Sequence, residues 1–214
     1  MPSLKETRAE ETKKAILDAA GRLFGEKGYE SVTMRQIARG AGCSHTTIYL
    51  YFKDKADLLH QLAAPPLEEL RAEMEAAMAA GTGVRPGERL RKLSRLFIEF
   101  CLRHRGMYPI FFGAGAGRVD IAEPELEINR LRNGLFNLMK QALGEELGLS
   151  DGDRLLACSR IFFYLIHGIA ATYNQSSESS GELMERLSST FDTAVDAMLA
   201  GLKAQLSEKE AQRP

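Results

Sequence analysis

The chain has 214 residues, of which 44% are hydrophobic and 27% charged, a composition typical of a folded globular protein rather than a disordered one. Its formal net charge of −1 argues against a protein that coats nucleic acid indiscriminately. The charge is unevenly spread, with ten basic against eight acidic residues through His60 and 18 against 21 in the remainder. This asymmetry permits DNA binding by a local patch at the front of the chain but does not establish it.

The N-terminal segment MPSLKETRAEETKK is charged and lacks the apolar stretch of a secretory signal, so we expect a cytoplasmic protein. The longest nearly unbroken apolar run, residues 161–173, has 13 residues. A helix needs about 20 to cross a bilayer, so we expect no membrane partner. The three cysteines, Cys43, Cys101 and Cys158, are isolated and make neither a disulfide framework nor a CxxC metal pair.

Apolar residues recur at helical spacing through nearly the whole chain, and no alternating run predicts a strand. We therefore predict an all-α fold of about nine helices. One apolar stripe over residues 16–24 predicts the first helix, which Gly28 ends. Thr33 then opens a short second helix, where Gln36 completes a capping box.

Gly42 predicts a tight turn, since a residue without Cβ adopts the required backbone angles at little steric cost. Ser44 then caps a third helix of about two turns, and Asp54 caps a fourth. Three short helices followed by a longer one, with a glycine turn in the middle pair, indicate a helix-turn-helix unit. We predict a three-helix DNA-binding bundle over residues 1–60.

A larger helical domain is predicted over residues 61–214. Pro65 and Pro66 predict a break or kink in the fourth helix, because proline cannot donate the backbone hydrogen bond that a helix interior needs. Loops are expected at 81–88 and 106–120, and helical patterns follow at 88–104, 122–147, 151–175 and 181–206.

The third helix is too short to build a core of its own, and its first residues are polar. In a helix-turn-helix, the second helix of the pair enters the major groove and presents its N-terminal residues to base edges. Hydroxyl and imidazole groups there can exchange hydrogen bonds with bases or phosphates. The side chains that we expect to contact DNA are Thr33, Arg35, Ser44, His45, Thr46, Thr47, Tyr49 and Lys55.

The segment over residues 12–59, TKKAILDAAGRLFGEKGYESVTMRQIARGAGCSHTTIYLYFKDKADLL, closely resembles the DNA-binding domain of tetracycline-repressor-type (TetR family) transcriptional regulators. Two departures are Cys43, in place of the usual valine, and His45–Thr46, in place of a pairing with glycine or proline, which leaves the operator sequence open. The resemblance implies contacts with bases or nearby backbone for Arg35, His45, Thr46 and Thr47, and with phosphates for Thr33, Tyr49 and Lys55.

The resemblance also implies a homodimer that binds a palindromic, double-stranded operator through two reading helices and pairs through its last two helices. Residue chemistry agrees, since residues 155–173 are apolar on nearly every side, as in a helix buried in its own subunit and against a partner. A second surface is predicted along one side of the last helix, formed by Leu183, Leu187, Phe191, Ala194, Met198 and Leu202.

A small-molecule inducer pocket in the C-terminal domain is a further implication of the resemblance, and its aromatic and methionine candidates favour a mainly apolar ligand. No cofactor or metal is expected. The sequence leaves open the effector, the operator, the regulated genes and whether binding represses or activates. The candidate lining residues are Phe97, Phe100, Met107, Phe111, Phe112, Phe136, Met139, Phe163 and His167.

Two alternatives stay open at this point. A helical cytoplasmic enzyme is one, but the chain carries no HExxH, GxSxG or phosphate-loop motif and its four histidines are scattered. The other is a DNA-binding regulator switched by oxidation at Cys43, Cys101 or Cys158.

Overall fold

A computed structural model describes residues 4–79, 87–112, 124 and 126–211, and every regular element in these ranges is helical. The predicted all-α class is confirmed. The helices are α1 (Leu4–Lys27), α2 (Met34–Gly40), α3 (His45–Ile48), α4 (Lys55–Ala79), α5 (Glu88–Arg103), α6 (Tyr108–Phe112), α7 (Glu127–Leu147), α8 (Asp153–Tyr173) and α9 (Ser180–Ala211).

The start signals read from the sequence form as hydrogen bonds at α2 and α3. The Gln36 amide donates to the Thr33 hydroxyl at 3.3 Å, and the Thr33 amide donates to the Gln36 side-chain oxygen at 2.8 Å, which completes the capping box. Gly42 adopts φ +70°, the left-handed region that favours glycine. The Ser44 hydroxyl then accepts from the Thr47 amide at 3.0 Å. These short-range contacts fix the turn between the two helices.

Helix α3 is shorter than predicted, with four residues instead of about two turns. The chain continues from it as a hydrogen-bonded turn, in which the amides of Tyr51 and Phe52 both donate to the Ile48 carbonyl, at 3.2 and 3.1 Å. Ile48 and Phe52 are almost fully buried, at 0% and 1% exposure. Ile48 and Phe52 are therefore buried four residues apart, as they would be on one side of a continued helix.

The predicted break of the fourth helix at Pro65 and Pro66 was wrong, because α4 runs from Lys55 to Ala79 with both prolines inside it. A kink at these prolines stays a prediction. Its start is capped as expected, with the Asp57 amide donating to the Asp54 carboxylate at 2.8 Å. The helix survives the missing donors because apolar side chains on either side of the prolines are buried. These are Ala63, Ala64, Leu67 and Leu70.

The chain divides into two compact units, the first comprising residues 1–68 and 106–132 and the second residues 69–105 and 133–214. The sequence did not indicate that residues 106–112 and 126–132 associate with the N-terminal residues. Glycine makes this packing possible: a Cβ added at Gly25 on α1 would lie 3.0 Å from the Gly106 carbonyl oxygen. The predicted functional boundary at residue 60 stays a prediction.

In the second unit, α9 packs against α5 and α8. The Arg91 guanidinium pairs with the Asp196 carboxylate at 2.6 Å, and Arg95 pairs with Asp192. The α9 stripe was predicted to be a surface for a partner, and for three of its residues this was wrong, because tertiary packing places them inside the protomer. Leu183, Phe191 and Leu202 are buried, while Leu187, Ala194 and Met198 are half-buried.

Helix α8 has one buried side and one exposed apolar side. Leu155, Phe162 and Ile166 are buried, whereas Ile161 is 47% and Tyr164 66% exposed. Among the described residues, α8 is also the helix whose length and mean hydropathy of 1.5 match those of a membrane span. Core helices of soluble proteins share these properties, and α8 packs against α5 and α9. Only 33% of its most apolar window is buried, so much of its apolar surface lacks cover within the protomer.

The turn at Gly42 provides a test of the fold. Gly42→Ala is expected to lower the free energy of unfolding by about 1 kcal/mol, because a side chain disfavours the left-handed backbone. No atom lies within 4 Å of the added Cβ, so the loss would come from backbone strain and not from a clash. Urea unfolding at a fixed protein concentration measures the change.

Gly134→Ala is the matched control, since Gly134 lies within α7 and its added Cβ would meet Arg71 at an ordinary 3.8 Å. Stability should rise by about 0.5–1 kcal/mol there, as expected for glycine replaced inside a helix. Equal effects at the two positions would contradict the strain at Gly42.

Candidate nucleic-acid interface

Exposure over residues 45–53 follows a helical period. Ile48 and Phe52, four residues apart, face the core of the first unit. The exposed side chains lie at positions i, i+1, i+4, i+5 and i+8 counted from His45, which is the spacing of one side of a helix. We call this side the reading face. It consists of His45, Thr46, Tyr49, Leu50 and Lys53.

Two members of the reading face contact each other. The rings of His45 and Tyr49 meet edge to face, with centroids 5.2 Å apart and planes at 89°. Tyr49 remains 48% exposed, and His45 is exposed as well. The contact restricts both side chains while each stays exposed, so this part of the face is pre-organised for hydrogen bonding.

Ser44 and Thr47 mainly organise the start of α3. Their hydroxyl oxygens lie 2.7 Å apart, and Thr47 is half-buried. Each hydroxyl still has capacity for a further hydrogen bond. A DNA contact by either residue stays a prediction, and the structure adds a local role that holds the reading face in place.

Thr33 and Arg35, the two side chains at α2 that were predicted to contact DNA, differ in their interactions within the protein. The Thr33 hydroxyl donates to the Gln36 side chain at 2.9 Å while it caps the helix. Arg35, one residue into α2, is exposed and forms no ion pair with any residue that the structure describes. Its guanidinium is therefore available to an anionic partner, as predicted for a base or phosphate contact.

Lys55 has a structural role that the sequence did not reveal. Its ammonium donates to the carbonyls of Tyr29 and Glu30, at 2.9 and 3.3 Å, and lies 4.3 Å from the centroid of the Tyr29 ring. Burial raises the pKa of Tyr29, and the nearby charges of Glu30 and Asp54 add to this effect. Lys55 thus joins the start of α4 to the segment after α1, and its third N–H remains for a phosphate.

Leu50 and Lys53 belong to the reading face but were not among the predicted contacts. Leu50 is 78% exposed, and the Lys53 side chain is exposed while its backbone amide donates to Asp57 at 2.8 Å. The signal was present in the sequence, since both residues follow His45 and Thr46 at helical spacing. An apolar side chain at a base edge suits the methyl group of thymine, and a lysine suits a phosphate.

The cysteines show no sign of an activated thiol. Burial raises the pKa of Cys43 and raises that of Cys101 well above its usual range. Cys158 is also buried. A thiol reacts as its thiolate, so a raised pKa makes Cys43 and Cys101 less reactive at neutral pH. Oxidative switching is therefore not supported.

The predicted ligand-pocket residues fall into both compact units. In the second unit, the Phe163 ring contacts those of Phe97, Phe136 and His167, at centroid distances of 6.0, 5.9 and 5.6 Å. Met139 is buried in the same unit, and the ring centroids of Phe100 and His104 lie 4.7 Å apart. The first unit contains Met107 together with Phe111 and Phe112, whose ring centroids are 6.2 Å apart. A ligand-binding role for these residues stays a prediction.

A capped α2, a glycine turn and a short α3 with a polar outward face define a helix-turn-helix DNA-binding protein. Residues 16–62 match the family model for bacterial regulatory proteins of the tetR family. Over 141 residues the chain is 30% identical to the HTH-type transcriptional regulator YhgD of Bacillus subtilis, covering 65% of this chain and 70% of YhgD. The chain belongs to the TetR family.

Two further similarities support this assignment. The chain is 37% identical over 94 residues to the HTH-type transcriptional regulator AcrR of Shigella flexneri, a match that covers 42% of this chain but only 40% of AcrR. The structure of FadR from Bacillus subtilis, determined in complex with stearoyl-CoA, has a TM-score of 0.61 at 21% identity. It covers 88% of this chain and 98% of the FadR chain, which shows a shared fold. All three of these matched proteins are named as regulators.

Two lysine variants test whether the interface contacts phosphates. Lys53→Ala should reduce the salt slope of DNA affinity by roughly one unit and leave the urea midpoint unchanged, because its side chain is exposed. Lys55→Ala should reduce the slope similarly but also cost about 1–2 kcal/mol of stability, since two carbonyls lose their donor.

Fluorescence anisotropy on a labelled duplex over a salt series gives the slope, and urea unfolding gives the stability. An unchanged midpoint for Lys55→Ala would contradict its role in joining α4 to the segment after α1. Unchanged slopes for both variants would mean that neither lysine contacts phosphate.

Proposed function

We propose that the protein is a transcriptional repressor that binds a palindromic, double-stranded operator and is released from it by a small, mainly apolar ligand. The reading face carries this proposal, because it presents polar groups outward from a turn whose opposite side is buried. In the major groove, His45 and Thr46 would exchange hydrogen bonds with bases, while Tyr49 and Lys53 would reach phosphates. Such a regulator acts in the cytoplasm.

A homodimer through the last two helices follows from the exposed side of α8. Ile161 and Tyr164 are large apolar residues that α5 and α9 leave uncovered. The exposed side of α9 carries small residues, among them Ala197 and Ala200, which permit close approach of a partner helix. Pairing would give two reading faces, and two short helices about 34 Å apart read an inverted repeat. One such helix makes too few contacts alone.

Release by a ligand requires that the ligand bind more tightly to a conformation in which the two reading faces are wrongly spaced. Helix α4 is suited to couple the two events, because Lys55 lies at its start and its later residues belong to the second unit.

The aromatic residues around Phe163 favour an apolar ligand group. The same direction is supported by FadR of Bacillus subtilis, which shares the fold and was crystallised in complex with stearoyl-CoA, a molecule with a long acyl chain. We therefore expect an effector with an extended apolar portion.

Selection of bound fragments from random DNA tests the function. An inverted repeat with half-sites about one helical turn apart is expected. His45→Ala and Thr46→Ala should change the preferred base at specific positions in each half-site and leave the spacing unchanged. Enrichment of a non-repeated site would contradict the dimeric repressor, and no enrichment at low salt would favour an enzymatic role.

The dimer is tested with two tyrosine variants. Tyr164→Glu should yield monomers, because a carboxylate on the exposed side of α8 cannot be buried without a partner charge. Tyr49→Glu is the control on the reading face: it should remain dimeric but lose DNA affinity through repulsion from phosphates. Analytical ultracentrifugation and anisotropy provide the two readouts. A dimeric Tyr164→Glu would exclude α8 as the interface.

A further inference from the structure

Arg132 is the charged residue among the buried polar side chains that the structure describes. It lies in α7 and is 4% exposed. The other two, Ser94 and Ser159, donate to carbonyls of their own helices, at 2.8 and 2.7 Å, and so need no further partner. Arg132 differs because it brings a full charge into the first unit.

The partners of Arg132 are neutral. One terminal nitrogen donates to the Asn129 side-chain oxygen and the other to the Ile110 carbonyl. The Nε atom is buried without a hydrogen-bond partner, and no carboxylate of the described residues pairs with this guanidinium. By contrast, Arg130, two residues earlier, pairs with Glu127 at 2.7 Å.

Burial lowers the pKa of Arg132 to about 10, so the side chain still carries its charge at neutral pH. A buried cation is stable only when an opposite charge or a full set of hydrogen bonds offsets its loss of water. Asn129 and Ile110 provide two neutral acceptors for five N–H groups. Counted over the part of the chain that the structure describes, the guanidinium therefore has N–H groups left for an anion.

Buried apolar residues neighbour Arg132 and its acceptor Ile110 along the chain. Ile110 belongs to α6, where Phe111 and Phe112 are also buried, and Leu131 directly precedes Arg132 on α7. A cation in a buried, mainly apolar segment suits a molecule with one anionic end and one apolar end.

We propose that Arg132 binds the anionic oxygen group, a carboxylate or a phosphate, of an amphipathic effector. The Nε–H and an adjacent terminal N–H form a fork that matches two oxygens of such a group. Asn129 and the Ile110 carbonyl hold the guanidinium in place for this contact. The inference rests on the proposed ligand-released repressor and specifies the chemistry of its ligand.

Binding is measured on the full-length protein without DNA, by thermal shift with decanoate, decyl phosphate and decanol below their micellar concentrations. The anionic probes should raise Tm more than decanol, because a ligand that prefers the folded state stabilises it. Whichever of decanoate and decyl phosphate has the lower Kd identifies the head group. Equal shifts from all three probes, or none from either anion, would overturn the proposal.

Variants assign the effect to Arg132. Arg132→Gln should weaken anion binding about tenfold or more and leave the response to decanol unchanged. Arg132→Lys keeps the charge but loses the fork, so it should bind with intermediate affinity. Arg130→Gln is the matched control, since it removes an exposed arginine from the same helix and should bind like the parent.

Arg132→Met guards against a purely structural explanation. Without ligand its Tm should change little, because removal of an unpaired buried charge offsets the loss of the donors to the Ile110 carbonyl and the Asn129 side chain. A marked fall in Tm would show that the charge already has an anionic partner within the chain, and would overturn the proposal. Operator binding by Arg132→Gln is expected to persist. A protein that binds its operator but no anionic amphiphile would refute this inference and leave the proposed repressor intact.

Discussion

The burial of Ile48 and Phe52 is the constraint on which the interface depends. A helix of four residues is not stable by itself, because the conformational entropy lost in fixing the first turn outweighs the free energy of its single hydrogen bond. Its position must come from side chains that pack into the first unit, and these two residues are almost completely removed from water. Once they are fixed, helical spacing determines which neighbours face outward. The reading face is thus a consequence of what lies behind it.

Polar contacts then fix the chain on either side of α3. The capping interactions of Thr33 and Ser44 satisfy amides that would otherwise lack partners, and Gly42 supplies the turn between them. On the far side, Lys55 connects the start of α4 to the carbonyls of Tyr29 and Glu30. Lys55 therefore stabilises the fold whether or not it contacts DNA, so lost DNA binding in a Lys55 variant would not by itself show a phosphate contact.

The rest of the described structure combines an apolar surface on α8 without cover and a buried charge, that of Arg132, without a counter-ion among the described residues. Exposure of the apolar side of α8 to water is unfavourable unless a partner helix covers it. Burial of the Arg132 charge is likewise unfavourable unless an anion pairs with it. Both are features that a monomer without ligand would not retain for stability alone. They are what a protein needs if its state depends on a second subunit and on a bound molecule.

The sequence by itself determined the helices, their caps, the turn at Gly42 and the family, because capping and helical period depend on residues within a few positions of one another. It also placed the reading face approximately, although Leu50 and Lys53 had to be identified by their exposure. Only the tertiary structure decided the length of α3, the continuity of α4 through Pro65 and Pro66, and the burial of much of the α9 stripe. It alone placed Arg132 in an apolar interior, since burial depends on packing between segments that are distant in the chain.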